Sequence, residues 1–197
     1  MQSLFGDSTP APQSLNHSTR ITFRTENFQL KWSHCNSTAD FLSAFYAGIL
    51  TAGRTLAQVA DLSHSISYLV NELVENAVKF HTAGTVEIEA GLDGDVFVFR
   101  IGNHIASKTA TRFQTLLAEI TAGDPGEMLI KRIEANAAGA GGSGLGLLTL
   151  MSDYGARLTW RFSSNGSSAD SVFIETLARL RLPQASSPAT SKTRHGN

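Results

Sequence analysis

Two short segments, in a fixed order, constrain this chain more than anything else in it. The first is Asn71-Glu72-Leu73-Val74-Glu75-Asn76-Ala77-Val78-Lys79, and the second is the glycine run Gly141-Gly142-Ser143-Gly144-Leu145-Gly146-Leu147. Around the first, Ile66, Leu69, Val70, Leu73, Ala77 and Phe80 recur with the spacing of one helical face, which predicts an amphipathic helix packed on a core. Glu72, Glu75, Asn76 and Lys79 form a second stripe on the same helix. At about 100° per residue Asn76 falls at the margin of the apolar face, where a side chain at the rim of a cleft belongs. The second segment can fold backbone N–H groups around an anion at the start of another helix.

The rest of the chain reads as strands and helices around these two segments. Ile21-Thr22-Phe23-Arg24 and Phe28-Gln29-Leu30-Lys31-Trp32 alternate apolar and polar residues and predict a hairpin. Asn36-Ser37-Thr38 offers an N-cap for a helix reaching about Ala52, and the striped helix is expected from Asp61 or Ser63 to Phe80. Thr85–Ala90 and Val96–Ile101 read as strands joined at Asp93-Gly94, a strong hairpin turn. Phe113, Leu116, Leu117 and Ile120 repeat at helical spacing, and Asp124-Pro125-Gly126 leads into a short helix. Residues 135–143 are almost all small and predict a mobile entry to the glycine run. A helix from Leu145 to about Tyr154 follows, with Gly155 suited to end it. Strands near Arg157–Phe162 and Ser171–Leu180 complete a mixed sheet.

Residues 1–18 and 183–197 are polar and expected to be disordered, which leaves 19–182 as a single α/β domain. A hydrophobic fraction of 42% supports a packed core, whereas 17% charged residues is a low figure that points to a surface partly covered by a partner or a second copy. The net charge of -1 argues against a general electrostatic grip on nucleic acid or anionic membrane. Cys35 is the single cysteine, so no internal disulfide can form. With no signal-peptide pattern and no apolar run long enough for a bilayer, a cytoplasmic location is expected.

The spacing within the stripe suits a specific chemistry. Residues i and i+4 are stacked neighbours on a helix. Asn76 can offer its amide oxygen to a Mg²⁺ carried by a nucleotide, because that ion takes a few hard oxygen ligands together with phosphates. Glu72, one turn earlier, is placed to accept a proton from a hydroxyl or water. Lys79 can reach phosphate oxygens as a point charge. Glycines permit the close backbone approach that a phosphate cradle needs. The competing readings are a solvated helix face for the stripe and a flexible packing loop for the glycines. The run is not a P-loop, since no Gly-Lys-Ser/Thr follows, nor a dinucleotide fingerprint, which opens a first βα unit.

Asn71 to Phe80 resembles the N-box, and Gly142 to Leu148 the second glycine box, of the GHKL ATPases, the superfamily of gyrase, Hsp90, histidine kinases and MutL. The resemblance spans roughly Ser63 to Leu182. It implies a Bergerat-type α/β two-layer sandwich: a mixed sheet of four or five strands packed on helices, with a lid before the glycine-rich loop and ATP between them. It implies Glu72 as general base, Asn76 as Mg²⁺ ligand, and Gly142, Gly144, Leu145 and Gly146 as the phosphate loop. The stand-alone domain and the stretch Ile101-Gly102-Asn103-His104-Ile105 are similar to anti-sigma-factor and SiaB-like serine kinases of partner-switching systems. That resemblance implies an ATP- and Mg²⁺-dependent protein serine/threonine kinase with a STAS-domain phosphoacceptor as partner; the low charge and the apolar Ala39–Leu50 helix lean toward a homodimer or a permanent partner. The alternatives are a non-catalytic nucleotide-binding regulator that sequesters a partner, or a slow ATPase.

One position departs from the family pattern. The first glycine box has an Asp that accepts from the adenine amino group; here Phe97, Phe99, Ile101 and Asn103 are in phase, which puts Asn103 in its place. Exchanging a charged acceptor for a neutral one costs about 1 kcal/mol. Because an amide can turn either end toward a base, Asn103 predicts weak discrimination between ATP and GTP. A second alignment puts Arg100 at the Asp position.

Overall fold

A computed structural model describes residues 2–24, 32–82, 84–138, 144–163 and 170–183. In chain order these form β1 (Gln2–Gly6), β2 (Asn16–Arg24), α1 (Trp32–Ile49), α2 (Leu56–Phe80), β3 (Thr85–Asp93), β4 (Val96–Ala106), α3 (Ser107–Ile120), α4 (Pro125–Ala137), α5 (Leu145–Ser152), β5 (Arg157–Ser163) and β6 (Ser171–Arg181). The strands make a six-stranded sheet in the order β1-β5-β6-β4-β3-β2. Every neighbouring pair is antiparallel. The expected mixed sheet is therefore replaced by an antiparallel one with an added edge strand. β3–β4 and β5–β6 are consecutive antiparallel pairs, and β4 runs against β6, so no parallel neighbour remains.

The added strand is β1, inside the stretch expected to be disordered. Its ladder with β5 runs from Gln2 opposite Ser163 to Gly6 opposite Thr159. Phe5 anchors it, meeting the buried Phe162 edge-on at 5.8 Å. Residues 25–31, which hold most of the expected Phe28–Trp32 strand, lie outside the described residues, and Trp32 itself opens α1.

α2 is 25 residues long and starts earlier than Asp61. Thr55 and Gln58 form a capping box: the Gln58 N–H donates to Thr55 Oγ1 at 3.2 Å, and the Thr55 N–H donates to Gln58 Oε1 at 2.9 Å. The buried stripe of α2 runs through Leu62, Ile66, Leu69, Leu73 and Ala77. It joins one core with the inward residues of the sheet, among them Ile88, Phe97, Phe99, Ile101, Trp160 and Ala178. Tyr46 of α1 is fully buried in this core, its hydroxyl 2.7 Å from the Ala90 carbonyl oxygen and 2.8 Å from that of His17. One side chain thus ties α1 to both β2 and β3. Cys35 is buried beside α2, where burial first and the charge of Glu75 second push its thiol pKa up, which keeps it in the unreactive protonated form.

The other face of the sheet carries charge. Arg20, Glu89, Arg100, Glu175 and Arg161 alternate in sign across β2, β3, β4, β6 and β5, with N–O separations of 3.0, 2.8, 3.9 and 3.6 Å in that order. β1 and β2 lie at opposite edges, so residues 7–15 must cross this face to join them. Arg179 of β6 holds the crossing strap, donating to the carbonyls of Thr9 at 2.8 Å and Pro10 at 2.6 Å. Leu15 of the strap lies on Gly91, where a β-carbon would come within 2.6 Å of the leucine Cβ. Val98, which strand alternation places on this face, is fully buried. Among the described residues no helix is long and apolar enough to cross a membrane.

Candidate functional site

A cleft of about 400 Å³ opens between α2, β4 and the start of α5. β4 supplies its floor. The strand runs five residues beyond Ile101, so Ile101, Asn103 and Ile105 all face inward from its middle. Asn103 is therefore no strand-ending turn residue: it pairs with Ile174 on β6 and is 4% exposed. Its Nδ2 donates to the Ala77 carbonyl of α2 at 3.4 Å. A carbonyl can only accept, which turns Nδ2 toward α2 and Oδ1 away from it, while the second Nδ2 hydrogen is not used by this bond. Arg100, the other alignment candidate, lies on the opposite face of β4, paired to Glu89 and Glu175. Strand periodicity excludes it from the cleft.

One wall comes from α2. Glu72 and Asn76 both line the cleft, a turn apart, and both are partly buried. Burial raises the Glu72 pKa, and the neighbouring charge of Glu75 raises it further. Glu75 itself does not line the cleft; Asn71 Nδ2 donates to its Oε1 at 2.8 Å, and it adds charge beside Cys35 of α1. The structure does not bring Lys79 into the cleft. α2 ends one residue later, Phe80 occupies the lining position there, and the exposed Lys79 ammonium lies 5.3 Å from the Phe80 ring centroid.

The start of α5 closes the far side. Gly144 is its N-cap with φ of 98°, left-handed backbone that favours glycine, and a β-carbon there would press on Leu116 of α3. Gly146 has a different reason to be glycine. It is helical, and a β-carbon on it would run into the Glu72 carboxylate. Leu145 stands between them as the first residue of α5 without lining the cleft. Gly142 lies outside the described residues, with most of the expected lid entry.

Two charged lining residues were missed by sequence reasoning: Arg112 of α3 and Arg132 of α4. For Arg112 a signal existed, because it stands four residues before Leu116, which also lines the cleft. Arg132 carries no local signal, since its place depends on how α4 packs. Tyr68, one turn before Glu72, stacks on Tyr154 at 4.9 Å and 12°, bracing α2 against the end of α5.

The donor set fits a nucleotide with its metal. Among the described residues no group of three or more His, Cys, Asp or Glu side chains could hold a metal. A Mg²⁺ at Asn76 would therefore need phosphate oxygens to complete its shell.

No protein-family model matches the chain, and no curated protein matches it. Among solved structures it is similar to a chain in the crystal structure of the SiaB-SiaC complex from Pseudomonas aeruginosa, at 14% identity and a TM-score of 0.59. The match covers 81% of this chain and 89% of that one. At that identity the likeness is one of fold.

Proposed function

We propose that this chain is an ATP- and Mg²⁺-dependent protein serine/threonine kinase of the GHKL type, acting in bacterial signalling on a small partner protein of the STAS kind. One observation carries the reading: Glu72 and Asn76 from α2, Asn103 from β4, and Gly144 and Gly146 from the start of α5 converge on a single cleft. Bound ATP supplies an activated γ-phosphoryl group, whose bond to ADP breaks as a hydroxyl oxygen bonds to phosphorus. Glu72 takes the proton that the hydroxyl loses, and the burial that raises its pKa moves it toward the range where a general base is most effective. Asn76 offers its amide oxygen to the metal, and Asn103 Oδ1 accepts from the base. The solved structural neighbour comes from a two-protein complex, which supports a protein as the acceptor.

A second reading is a regulator that binds nucleotide and sequesters a partner without phosphorylating it. Asn103 favours it, because a neutral acceptor stands where the GHKL pattern has an acid. Slow hydrolysis, with water in place of the hydroxyl, uses the same residues.

Calorimetric titration with ATP, with and without Mg²⁺, tests the site. Mg²⁺ is expected to tighten binding to the wild type, and Asn76→Ala to lose about 10–100-fold of that gain, as for other disturbed metal shells. Equal tightening in the variant would remove Asn76 from the metal. If ATP does not bind at all, the nucleotide reading fails. ATP binding without transfer to any protein hydroxyl would leave the regulator.

A further inference from the structure

Two arginines line the cleft from the helices that border it, Arg112 from α3 and Arg132 from α4. They are the cations among its described lining residues, since Lys79 lies outside. They stand in different electrostatic states. Arg112 is exposed and makes no ion pair among the described residues. The Arg132 side chain is only 17% exposed, and its Nη2 lies 2.8 Å from Oε1 of Glu119, whose side chain is 55% exposed. Glu119 does not itself line the cleft. It reaches over from α3 and occupies one edge of a planar donor fork whose geometry also suits phosphate.

A triphosphate whose γ-phosphoryl group comes near Glu72 brings like charges together, and the arginines are the lining groups that can offset that repulsion. A phosphate oxygen that takes the Arg132 Nη2 donor has first to displace Glu119, while the remaining guanidinium N–H groups are not engaged by that contact. We propose that Arg112 and Arg132 form the polyphosphate clamp of this cleft, and that Glu119 is a built-in competing anion that lowers affinity for nucleoside triphosphates. This inference rests on the nucleotide reading of the site. An ion pair with one well-exposed partner is weak, so the competition is a modest, tunable restraint.

The test is a calorimetric titration of the full chain with Mg-ATP and with adenosine, which shares the base but lacks phosphate. Glu119→Gln keeps the shape of the side chain and removes its charge; it is expected to tighten ATP binding about two- to fivefold and to leave adenosine unchanged. Arg132→Ala and Arg112→Ala are each expected to weaken ATP about tenfold or more, again sparing adenosine. Arg132→Lys, which keeps the charge and loses the fork, should fall between. Since Glu119 is exposed, its variant reports even if Arg132→Ala fails to fold. Binding of both ligands with ATP affinity unchanged or weakened in Glu119→Gln overturns the inference alone, leaving Glu119 as a tie between α3 and α4. Binding of neither ligand overturns the nucleotide reading and this inference with it.

Discussion

The Glu72 carboxylate lies against Gly146, two residues into α5, so closely that no β-carbon fits between them. The last glycine of the run is therefore required by an acidic side chain on another helix, and not by a left-handed backbone, which Gly144 alone of the pair adopts. The acid and the glycine loop are mechanically one unit.

Gly146→Ala tests that unit. In an ordinary helix the change would stabilise by about 1 kcal/mol. Here it should destabilise, and it should lower phosphoryl transfer by roughly 10²–10⁴-fold, the usual contribution of a placed base, by pushing Glu72 aside. In a Glu72→Ala background the obstacle is gone, and the same substitution should become neutral or stabilising. Denaturant unfolding of all four proteins closes the cycle. Additive effects would show that the two residues do not meet.

Glu72 also gives a pH signature. Its pKa is raised in the folded protein, by burial first and by Glu75 second, so folding favours the protonated form. The unfolded chain then holds fewer protons than the native one as pH rises past the ordinary carboxylate range of about 4.3. Stability tied to this group is complete below that value and is lost as pH climbs through the raised pKa. Glu72→Gln should therefore be more stable than wild type at neutral pH, with the advantage fading as the solution is acidified toward pH 4. Urea midpoints across that window measure it; a constant gap would place the gain in packing and not in charge.

Asn103 replaces one expectation with its opposite. With Nδ2 committed to the Ala77 carbonyl, Oδ1 presents an acceptor, as an Asp would. Wild type is therefore expected to prefer ATP over GTP. Asn103→Asp sets a carboxylate oxygen against the Ala77 carbonyl, which still accepts from the His81 N–H at 2.9 Å, and the added repulsion should cost about 1 kcal/mol of stability without tightening ATP. Competition binding with both nucleotides, paired with thermal unfolding, decides the matter. Tighter ATP binding at unchanged stability would mean that the bond to Ala77 does not orient the amide.

What could be read from the sequence was whatever is encoded within a few turns. The α2 stripe, the Asp93-Gly94 hairpin and the helix that follows Asp124 are periodicities and local signals, and the structure contains each. The capping box at Thr55 and Gln58 was equally local and sets the start of α2 before Asp61. β1 was hidden because its docking rests on one aromatic, Phe5, within a polar run, and on a partner strand far along the chain. In the site, helix angle puts Glu72 and Asn76 on one face, and strand phase sets Asn103 at the position where the family resemblance has an Asp. Lys79 shares that helix angle and still misses the cleft, because angle does not say where a helix ends. Arg132 depends on how α4 packs, which no short window contains.

The strap has a consequence for how the chain reaches this state. β1 pairs with β5 across about 160 residues of sequence, one of the longest loops this chain can close. Residues 7–15 find their contacts only once β5 is in place to bond Asp7 and β6 to present Arg179. Contacts of such separation are slow to form, so the β1–β5 ladder is expected to be among the last parts of the sheet secured. Without the strap, Leu177 of β6, buried beside strap residues 7–11, loses that cover, and β5 is an open edge able to recruit a strand from another chain. The N-terminal segment therefore guards the folding molecule as much as it completes the folded one.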